Sequence, residues 1–231
     1  IIGWDVTNWG ESIKFFEQHI DFSSINNALE LGIGSYGGYS LYFAAKGIKT
    51  ICSNPTGDFR KAKAIHSNYS FSKNIQYEKI DALNIPYENH FDCIGFKSVM
   101  GVLGYGEKDR YDHNDRQINM IKQAKKALKK NGFLIFSENL IGSQLHQFIN
   151  NKFGWGKNSK GWRYFSIEEY IDFIGKDLKV INFSTKGVLG YLGKYELLKN
   201  LLGFFDGIIL EKIFRNDSKY IIFLVSKKID Y

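Results

Sequence analysis

The sequence predicts an α/β fold: a doubly wound sheet of about seven strands, mostly parallel, with an antiparallel strand pair at its C-terminal end. Short apolar and β-branched runs alternate with helix-length segments through the first 140 residues, which places helices on both faces of a parallel sheet. The chain has 231 residues, of which 44% are hydrophobic, and shows no repeat or low-complexity linker. We therefore expect one domain over residues 1–231 with one sizeable core.

Strands and helices alternate in the first part of the chain. Strands are predicted at 27–31, 49–53, 75–81, 91–99 and 133–139. Helices are predicted between them at 39–47, 58–69 and 115–132. Gly47 closes the first of these helices and Asp58 caps the second. The third has apolar residues at helical spacing, lysines in its last turn and an Asn-Gly stop.

The pattern changes after residue 140. Ser166 and Glu169 form a capping box that begins a helix at 166–176, and strands follow at 178–185 and 219–228. Between these two strands, the segment 186–218 is rich in Gly, Leu, Phe and Tyr. We predict that it is a helical insertion before the last strand.

Composition limits the classes of partner and compartment. The longest apolar runs have the length of a strand, so no membrane span is predicted. Cys52 and Cys93 lie in apolar runs and are expected to be reduced and structural. No signal peptide is visible, and we expect a cytoplasmic protein. The formal net charge of +7 favours anionic partners, although many of the lysines decorate predicted helices.

A glycine-rich turn follows the first strand, in the stretch "ELGIGSYGG". Gly32, Gly34 and Gly37 satisfy the pattern G-x-G-x-x-G, which lets the backbone approach a ligand before a helix N-terminus. The glycines alone do not choose the ligand. Glu30 argues against a dinucleotide, because its carboxylate would repel a pyrophosphate. The second strand also ends without the acid that an NAD site uses for its ribose.

Several blocks resemble class I S-adenosylmethionine-dependent methyltransferases. "ELGIG" is similar to the family motif in which an acid two positions before the first glycine lies near the cationic methionine end of the cofactor. "EKIDALNIPYENHFDCIGF" resembles the segment that brings an acid and a small residue to the adenine, here Asp81 and Ala82, with Pro86, Phe91 and Asp92 at the positions that follow. "AKKALKKNGFLIFSE" is similar to the family's helix and fifth strand.

The resemblance implies a Rossmann-like fold, S-adenosylmethionine as cofactor and S-adenosylhomocysteine as product. It also implies that the lead-in segment 1–25 folds over the cofactor, with Trp9 either in this lid or in the core. The cofactor residues that we predict are Trp9, Glu30, Gly32, Gly34, Ser35, Ser53, Asn54, Asp81, Ala82 and Lys97. The chain departs from the family at the second strand, where Ser53 and Asn54 replace the acid that holds the ribose.

Catalytic and acceptor-binding residues are expected beyond the carboxyl ends of the strands. His113 and His146 are candidate bases, and each could instead be an ordinary loop or packed histidine. Candidates for contact with the acceptor are Tyr36, Trp162, Arg163 and Tyr164, because aromatic rings and a guanidinium suit a flat or anionic molecule. The sequence has no zinc-ligand spacing, and no metal site is predicted.

The first functional hypothesis is methyl transfer to an oxygen of a small anionic or sugar-like metabolite, in surface-polysaccharide or phosphoramidate biosynthesis. An RNA methyltransferase is an alternative, because of the +7 charge and the lysine-rich aromatic loop at 152–164. A non-catalytic, cofactor-binding scaffold is another, because the second-strand acid is missing. An NAD oxidoreductase is the least favoured alternative. The sequence does not predict the oligomeric state.

Overall fold

The chain forms a single seven-stranded sheet with helices on both faces, in the order β3-β2-β1-β4-β5-β7-β6. The structure is a computed structural model and describes residues 6–34, 36–104, 114–153, 163–175, 177–189, 196–206, 210 and 213–229. The first five strands run parallel, whereas β7 is antiparallel to both β5 and β6. The predicted α/β sheet with an antiparallel C-terminal pair is therefore confirmed.

The strands are β1 (Asn27–Leu31), β2 (Lys49–Asn54), β3 (Ile75–Lys79), β4 (Phe91–Lys97), β5 (Leu128–Asn139), β6 (Lys179–Lys186) and β7 (Ile221–Lys227). The described helices are α1 (Val6–His19), α2 (Gly38–Ala45), α3 (Arg60–His66), α4 (Asp115–Ala127), α5 (Gln144–Phe153), α6 (Ile167–Gly175) and α7 (Glu196–Phe205). Short 3₁₀ turns lie at Phe22–Ser24, Ser70–Asn74, Met100–Val102 and Asn216–Ser218.

The two faces of the sheet bury different helices. On one face, α4 and α6 cover Leu29, Leu31, Phe96 and Phe136. On the other face, α1 and α2 cover Ala28, Cys93, Ile135 and Phe223. Side chains alternate between the two faces along each strand, so consecutive residues at a strand end point to opposite faces of the sheet.

The predicted lead-in segment contains a packed helix. α1 lies against the sheet, with Trp9 and Phe16 fully buried. Truncating a buried aromatic side chain of this size costs about 3 to 5 kcal/mol, so α1 contributes to the stability of the core. Residues 190–195, 207–209 and 211–212 of the predicted insertion lie outside the described residues, whereas α7 lies within them.

The main error in the predicted boundaries concerns the region after α4. The helix was expected to continue to residue 132, but it ends at Ala127, and β5 begins at Leu128 rather than at 133. Leu128 pairs with Phe91 of β4, and the Lys129 ammonium lies 2.8 Å from the Asp92 carboxylate. These pairings override the local helical preference of the lysines. Asn131 adopts a left-handed backbone with φ 61°, in the part of β5 where the pairing with β4 shifts register.

The strand order reverses between β1 and β4. The chain runs outward from β1 through β2 to β3, then returns to the other side of β1 to form β4 and β5. In open α/β sheets the ligand crevice lies beyond the carboxyl ends of the strands at such a switch point. In this chain that position is the edge formed by Leu31 and Lys97.

The described residues contain neither a membrane-spanning helix nor a metal-binding cluster. None of the described helices has the length and apolar character needed to cross a membrane. Within the same residues, no cluster of three or more His, Cys, Asp or Glu side chains could hold a metal ion. Cys52 and Cys93 are free and buried, as predicted.

Candidate functional site

The glycine turn after β1 occupies the switch point, and its three glycines serve different purposes. All three have left-handed backbone conformations, with φ 65° at Gly32, 56° at Gly34 and 59° at Gly37. A Cβ atom on Gly32 would lie 2.6 Å from Val99, and one on Gly37 would lie 2.8 Å from His66. A Cβ atom on Gly34 would have no atom within 4 Å. Gly32 and Gly37 are therefore required by packing, whereas Gly34 borders open space.

Glu30 lies beneath this turn and caps α2. It is 4% exposed, and its carboxylate accepts hydrogen bonds from the Tyr39 N–H at 3.1 Å, the Ser40 N–H at 2.6 Å and the Ser40 hydroxyl. Burial raises the pKa of Glu30, while the bonds from Ser40 and Tyr39 and the charge of Lys97 lower it. The donors at the start of α2, where a helix usually attracts an anion, are already used by the protein.

His66, at the end of α3, holds the glycine turn from the other side. Its Nε2 lies 2.9 Å from the Tyr36 carbonyl oxygen and 3.1 Å from that of Gly37, so this nitrogen donates. Its Nδ1 can then accept from the Tyr77 hydroxyl at 2.9 Å. Burial lowers the pKa of His66, which favours the neutral ring. The sequence contains no local signal for this role of His66, because the contact joins residues far apart in the chain.

Lys97 ends β4 on the same face of the sheet as Glu30. Its Nζ lies over the Trp9 ring, 4.0 Å from the centroid. Burial lowers the pKa of Lys97 to about 8, although the charges of Glu138 and Glu30 oppose the shift. Among the described residues, no carboxylate forms an ion pair with this ammonium. Trp9 therefore lies in the core, directly beneath the Lys97 ammonium.

Glu138 lies near the end of β5, where ligand-binding residues are expected, but it is not among the predicted cofactor, catalytic or acceptor residues. It is 0% exposed, and its Oε1 accepts the N–H groups of Val99 at 2.6 Å and Met100 at 2.8 Å. Its Oε2 is buried and has no hydrogen-bond partner among the residues that the structure describes. Burial raises the pKa of Glu138 to about 7. The turn that Glu138 supports begins at Ser98, a non-glycine residue with φ 55°.

The end of β2 is neutral by comparison. The Ser53 hydroxyl donates to the Glu30 carbonyl oxygen at 2.7 Å. The Asn54 amide donates to the Asp58 carbonyl oxygen at 2.8 Å and accepts from the Gly57 N–H at 2.6 Å. Asn54 therefore holds its own turn, which weakens the expectation that its side chain binds a ribose. Asp81 is exposed and accepts the Leu83 N–H at 2.9 Å, while Ala82 is buried.

The remaining candidates are dispersed. His146 donates from Nε2 to the Val188 carbonyl oxygen at 2.8 Å and accepts at Nδ1 from the Ser143 hydroxyl at 2.9 Å. Both ring nitrogens are thus engaged, and the packed interpretation replaces that of a base. Arg163 lies beside the β4 turn, where its backbone N–H donates to the Gly101 carbonyl oxygen at 2.9 Å. The Arg163 guanidinium stacks on the Phe165 ring.

Tyr36 is 45% exposed on the outer side of the glycine turn. Tyr164 is partly buried and follows Arg163 directly. Three predicted residues lie outside the described residues, so the structure does not locate them: Ser35, His113 and Trp162.

The sequence matches no protein-family model and no curated protein sequence. Its fold is nevertheless similar to that of solved structures. A S-adenosylmethionine-dependent methyltransferase from Methanosarcina mazei aligns with a TM-score of 0.63 at 11% identity, over 94% of this chain and 98% of that one. The N-methyltransferase NodS from Bradyrhizobium japonicum, in complex with S-adenosylhomocysteine, aligns with a TM-score of 0.58 at 12% identity, over 96% and 87%.

A third similar structure is the [4+2]-cyclase SpnF, with a TM-score of 0.58 at 13% identity over 89% of this chain and 75% of that one. The three alignments confirm the predicted Rossmann-like methyltransferase fold. A cyclase among them illustrates that this fold does not by itself fix the reaction. The reaction depends instead on the residues of the site.

Proposed function

We propose that this protein is a S-adenosylmethionine-dependent methyltransferase that binds its cofactor across the carboxyl ends of β1 and β4. One observation carries the proposal: the Glu30 carboxylate already fills the N-terminus of α2. A dinucleotide would need those amides for its pyrophosphate. A sulfonium cofactor instead brings a positive charge, which a buried carboxylate attracts.

The described residues fit such a cofactor. Open space at Gly34 allows a close approach to the backbone, and Glu30 and Glu138 place two buried carboxylates near the end of β4. We propose that the methionine end lies near Glu30, Gly32, Gly34 and Trp9. Asp81 and Ala82, after β3, are proposed to contact the adenosine.

The bound cofactor would supply an electrophilic methyl group, so the protein mainly has to align the acceptor and exclude water. Alignment of reacting groups can contribute about 7 to 11 kcal/mol in favourable cases. Trp9 and Phe16 hold α1 on the sheet beside the site, which limits solvent on that side. The turn supported by Glu138 fixes the other boundary of the site, next to Arg163.

We propose an oxygen of a small anionic or sugar-like metabolite as the acceptor, as in surface-polysaccharide synthesis. The guanidinium of Arg163, which stacks on Phe165 and donates to the Asn114 side chain, and the net charge of +7 support an anionic molecule. Similar solved structures include an enzyme described as an N-methyltransferase, so the test has to distinguish oxygen from nitrogen acceptors.

Calorimetry with S-adenosylmethionine, S-adenosylhomocysteine and NAD tests the cofactor. We expect both sulfur compounds to bind with dissociation constants between about 1 μM and 1 mM, and NAD not to bind in that range. NAD binding alone would overturn the proposal. Labelled methyl transfer to a panel of hydroxyl, carboxylate, phosphate and amine metabolites then defines the acceptor. Transfer to RNA, together with RNA binding that falls steeply with salt, would instead favour the RNA alternative.

A further inference from the structure

We propose that Lys97 is the proton acceptor of the methyl-transfer step, taking the proton of an acceptor hydroxyl on its ε-amine. The inference rests on the proposed function and names a catalytic role that sequence reasoning gave to histidines. It starts from the position of Lys97 at the carboxyl end of β4, beside the switch point where the ligand crevice is expected.

The surroundings of Lys97 come from four other elements. Trp9 of α1 lies beneath its ammonium, and the carboxylates of Glu30 on β1 and Glu138 on β5 act on its charge. Tyr39 of α2 is the other titratable group coupled to both carboxylates. Burial raises the pKa of Tyr39 far above neutrality, so its hydroxyl stays protonated and bonded to Ser137.

Lys97 is poorly solvated without being neutralised in a close ion pair. Within the described part of the chain, its ammonium has no hydrogen-bonded carboxylate, and Glu138 keeps one buried oxygen without a partner. The charged state therefore depends on the face of the Trp9 ring and on two carboxylates that act at a distance, through a poorly hydrated interior. Such an ammonium loses its proton more readily than a surface lysine. The pKa of about 8 agrees with this geometry.

A bound sulfonium would compete with this proton for the same two carboxylates. When the cofactor brings its positive charge to the site, the Lys97 ammonium is repelled and releases a proton to solvent. Methyl transfer reverses the balance, because the cofactor product is neutral at sulfur. Lys97 can then hold a proton again, so the number of positive charges between Glu30 and Glu138 is the same before and after the reaction.

In the proposed step, the proton of the acceptor moves to Lys97 and the methyl group moves to the acceptor oxygen. The acceptor O–H bond breaks, and its proton moves to the lone pair of the neutral Lys97 amine. The acceptor oxygen forms the new bond to the methyl carbon. The bond between that carbon and sulfur breaks, and its electron pair stays on sulfur. The products are a methyl ether, S-adenosylhomocysteine and the Lys97 ammonium, and no oxidant or metal is needed.

The competing role for Lys97 is a fixed counterion for the carboxylate of the cofactor. Charge alone does not separate the two roles, because the cofactor brings an ammonium together with its carboxylate. The two roles predict opposite proton movements. A base next to the methyl group loses a proton when the sulfonium binds, whereas a counterion gains one with either sulfur compound.

Calorimetry in buffers of different ionisation enthalpy measures this proton movement. At pH 8, where a group with a pKa of about 8 is half protonated, we expect S-adenosylmethionine to release up to about half a proton more than S-adenosylhomocysteine. Lys97→Met and Lys97→Arg should both abolish the difference, because methionine has no proton to release and arginine does not deprotonate. Lys79→Met is the matched control, since Lys79 ends β3, which is separated from β4 by two strands, and should leave the difference intact.

Equal proton release with the two ligands, or a difference that survives in Lys97→Met, would overturn the proposal. Proton uptake with both ligands would assign Lys97 as a counterion instead. If neither sulfur compound binds the unaltered protein, the proposed function itself fails. For any hydroxyl acceptor found in the panel, Lys97→Arg should lower kcat by about 10² to 10⁴-fold, and binding of S-adenosylhomocysteine should persist. An unchanged kcat would contradict the role of base.

Discussion

The two sides of the candidate cleft differ in how they use their polar groups. Around the ends of β1, β4 and β5, three ionisable side chains are buried or partly buried together: Glu30, Lys97 and Glu138. At the end of β2, Ser53 and Asn54 are neutral and are bonded within the protein. The only nearby ion pair in the described structure, between Asp58 and Arg60, is exposed. Recognition is therefore expected to depend on the charged side.

The same difference predicts how substitutions on each side affect the stability of the fold and the binding of the ligand. A buried charge is tolerated only when hydrogen bonds or opposite charges compensate for its lost hydration. Glu30 is compensated by three donors, whereas Lys97 and Glu138 are only partly compensated. Substitution of Glu30 should damage the fold as well as the site, while substitution of Asn54 at the β2 end should affect only its own turn.

The largest effect is expected for Glu30→Ala. It leaves the Tyr39 and Ser40 amides and the Ser40 hydroxyl without an acceptor. Because bonds to a charged acceptor contribute about 1.5 to 3 kcal/mol each and desolvation offsets part of this, we expect the free energy of unfolding to fall by about 3 to 5 kcal/mol. Binding of S-adenosylmethionine should weaken at least about tenfold, or 1.4 kcal/mol, because the sulfonium loses its buried counter-charge. Urea unfolding and calorimetry measure the two quantities.

Glu17→Ala is the control for this variant. Glu17 lies on the surface, where it pairs with Lys46 at 2.6 Å. Exposed pairs contribute about 0 to 1 kcal/mol, so the control should unfold almost like the unaltered protein. Equal stability of the two variants would mean that Glu30 does not hold the start of α2.

Local patterns were sufficient to predict the sheet, because strand and helix periodicity follow directly from which face is buried. The first strand was predicted with its observed bounds, Asn27–Leu31. The start of β5 was missed, because the pairing of Leu128 with Phe91 is set by a strand more than 30 residues away. Local propensity contains no information about that partner.

The site divides in the same way. Glu30 and the glycines are adjacent in sequence and form a recognisable motif. His66, by contrast, supports the turn from the end of α3, and Glu138 reaches the site from β5. Neither His66 nor Glu138 belongs to a local sequence pattern from which its role could be predicted. Lys97 was predicted to face the cofactor side, but its coupling to two carboxylates could emerge only when three strands were brought together.

The next largest effect on stability is expected in the glycine turn, where Gly37 is packed against the protein and Gly34 borders open space. In Gly37→Ala the new methyl group would lie 2.8 Å from His66 and 3.0 Å from Cys52, on a backbone with φ 59°. We expect a loss of about 2 to 3 kcal/mol in the free energy of unfolding. Gly34→Ala meets no protein atom and should lose only about 1 to 2 kcal/mol, from its backbone conformation.

Binding should show the reverse order for the two glycine variants. The methyl group of Gly34→Ala would project into the open space that we assign to the cofactor, so S-adenosylhomocysteine should bind at least about tenfold more weakly. Undiminished binding by Gly34→Ala would place the cofactor elsewhere. Gly37→Ala, compared at a temperature where it is fully folded, should bind better than Gly34→Ala.

The smallest effect on binding is expected for Asn54→Ala, on the neutral side of the cleft. The variant loses the bond to the Asp58 carbonyl oxygen and the bond from the Gly57 N–H, which should cost about 1 to 2 kcal/mol of stability. Because the amide is already used within the turn, S-adenosylhomocysteine affinity should change by less than about threefold, or 0.7 kcal/mol. Thr56→Val is the matched control, because it keeps the Asn54 amide and removes only the two bonds of the Thr56 hydroxyl, to Asn54 at 3.0 Å and from the Asp58 N–H at 3.2 Å. A loss of affinity beyond about tenfold in Asn54→Ala, with Thr56→Val unaffected, would show that this amide leaves its turn to hold the ribose. The contrast between a charged and a neutral side of the cleft would then no longer describe how the ligand is recognised.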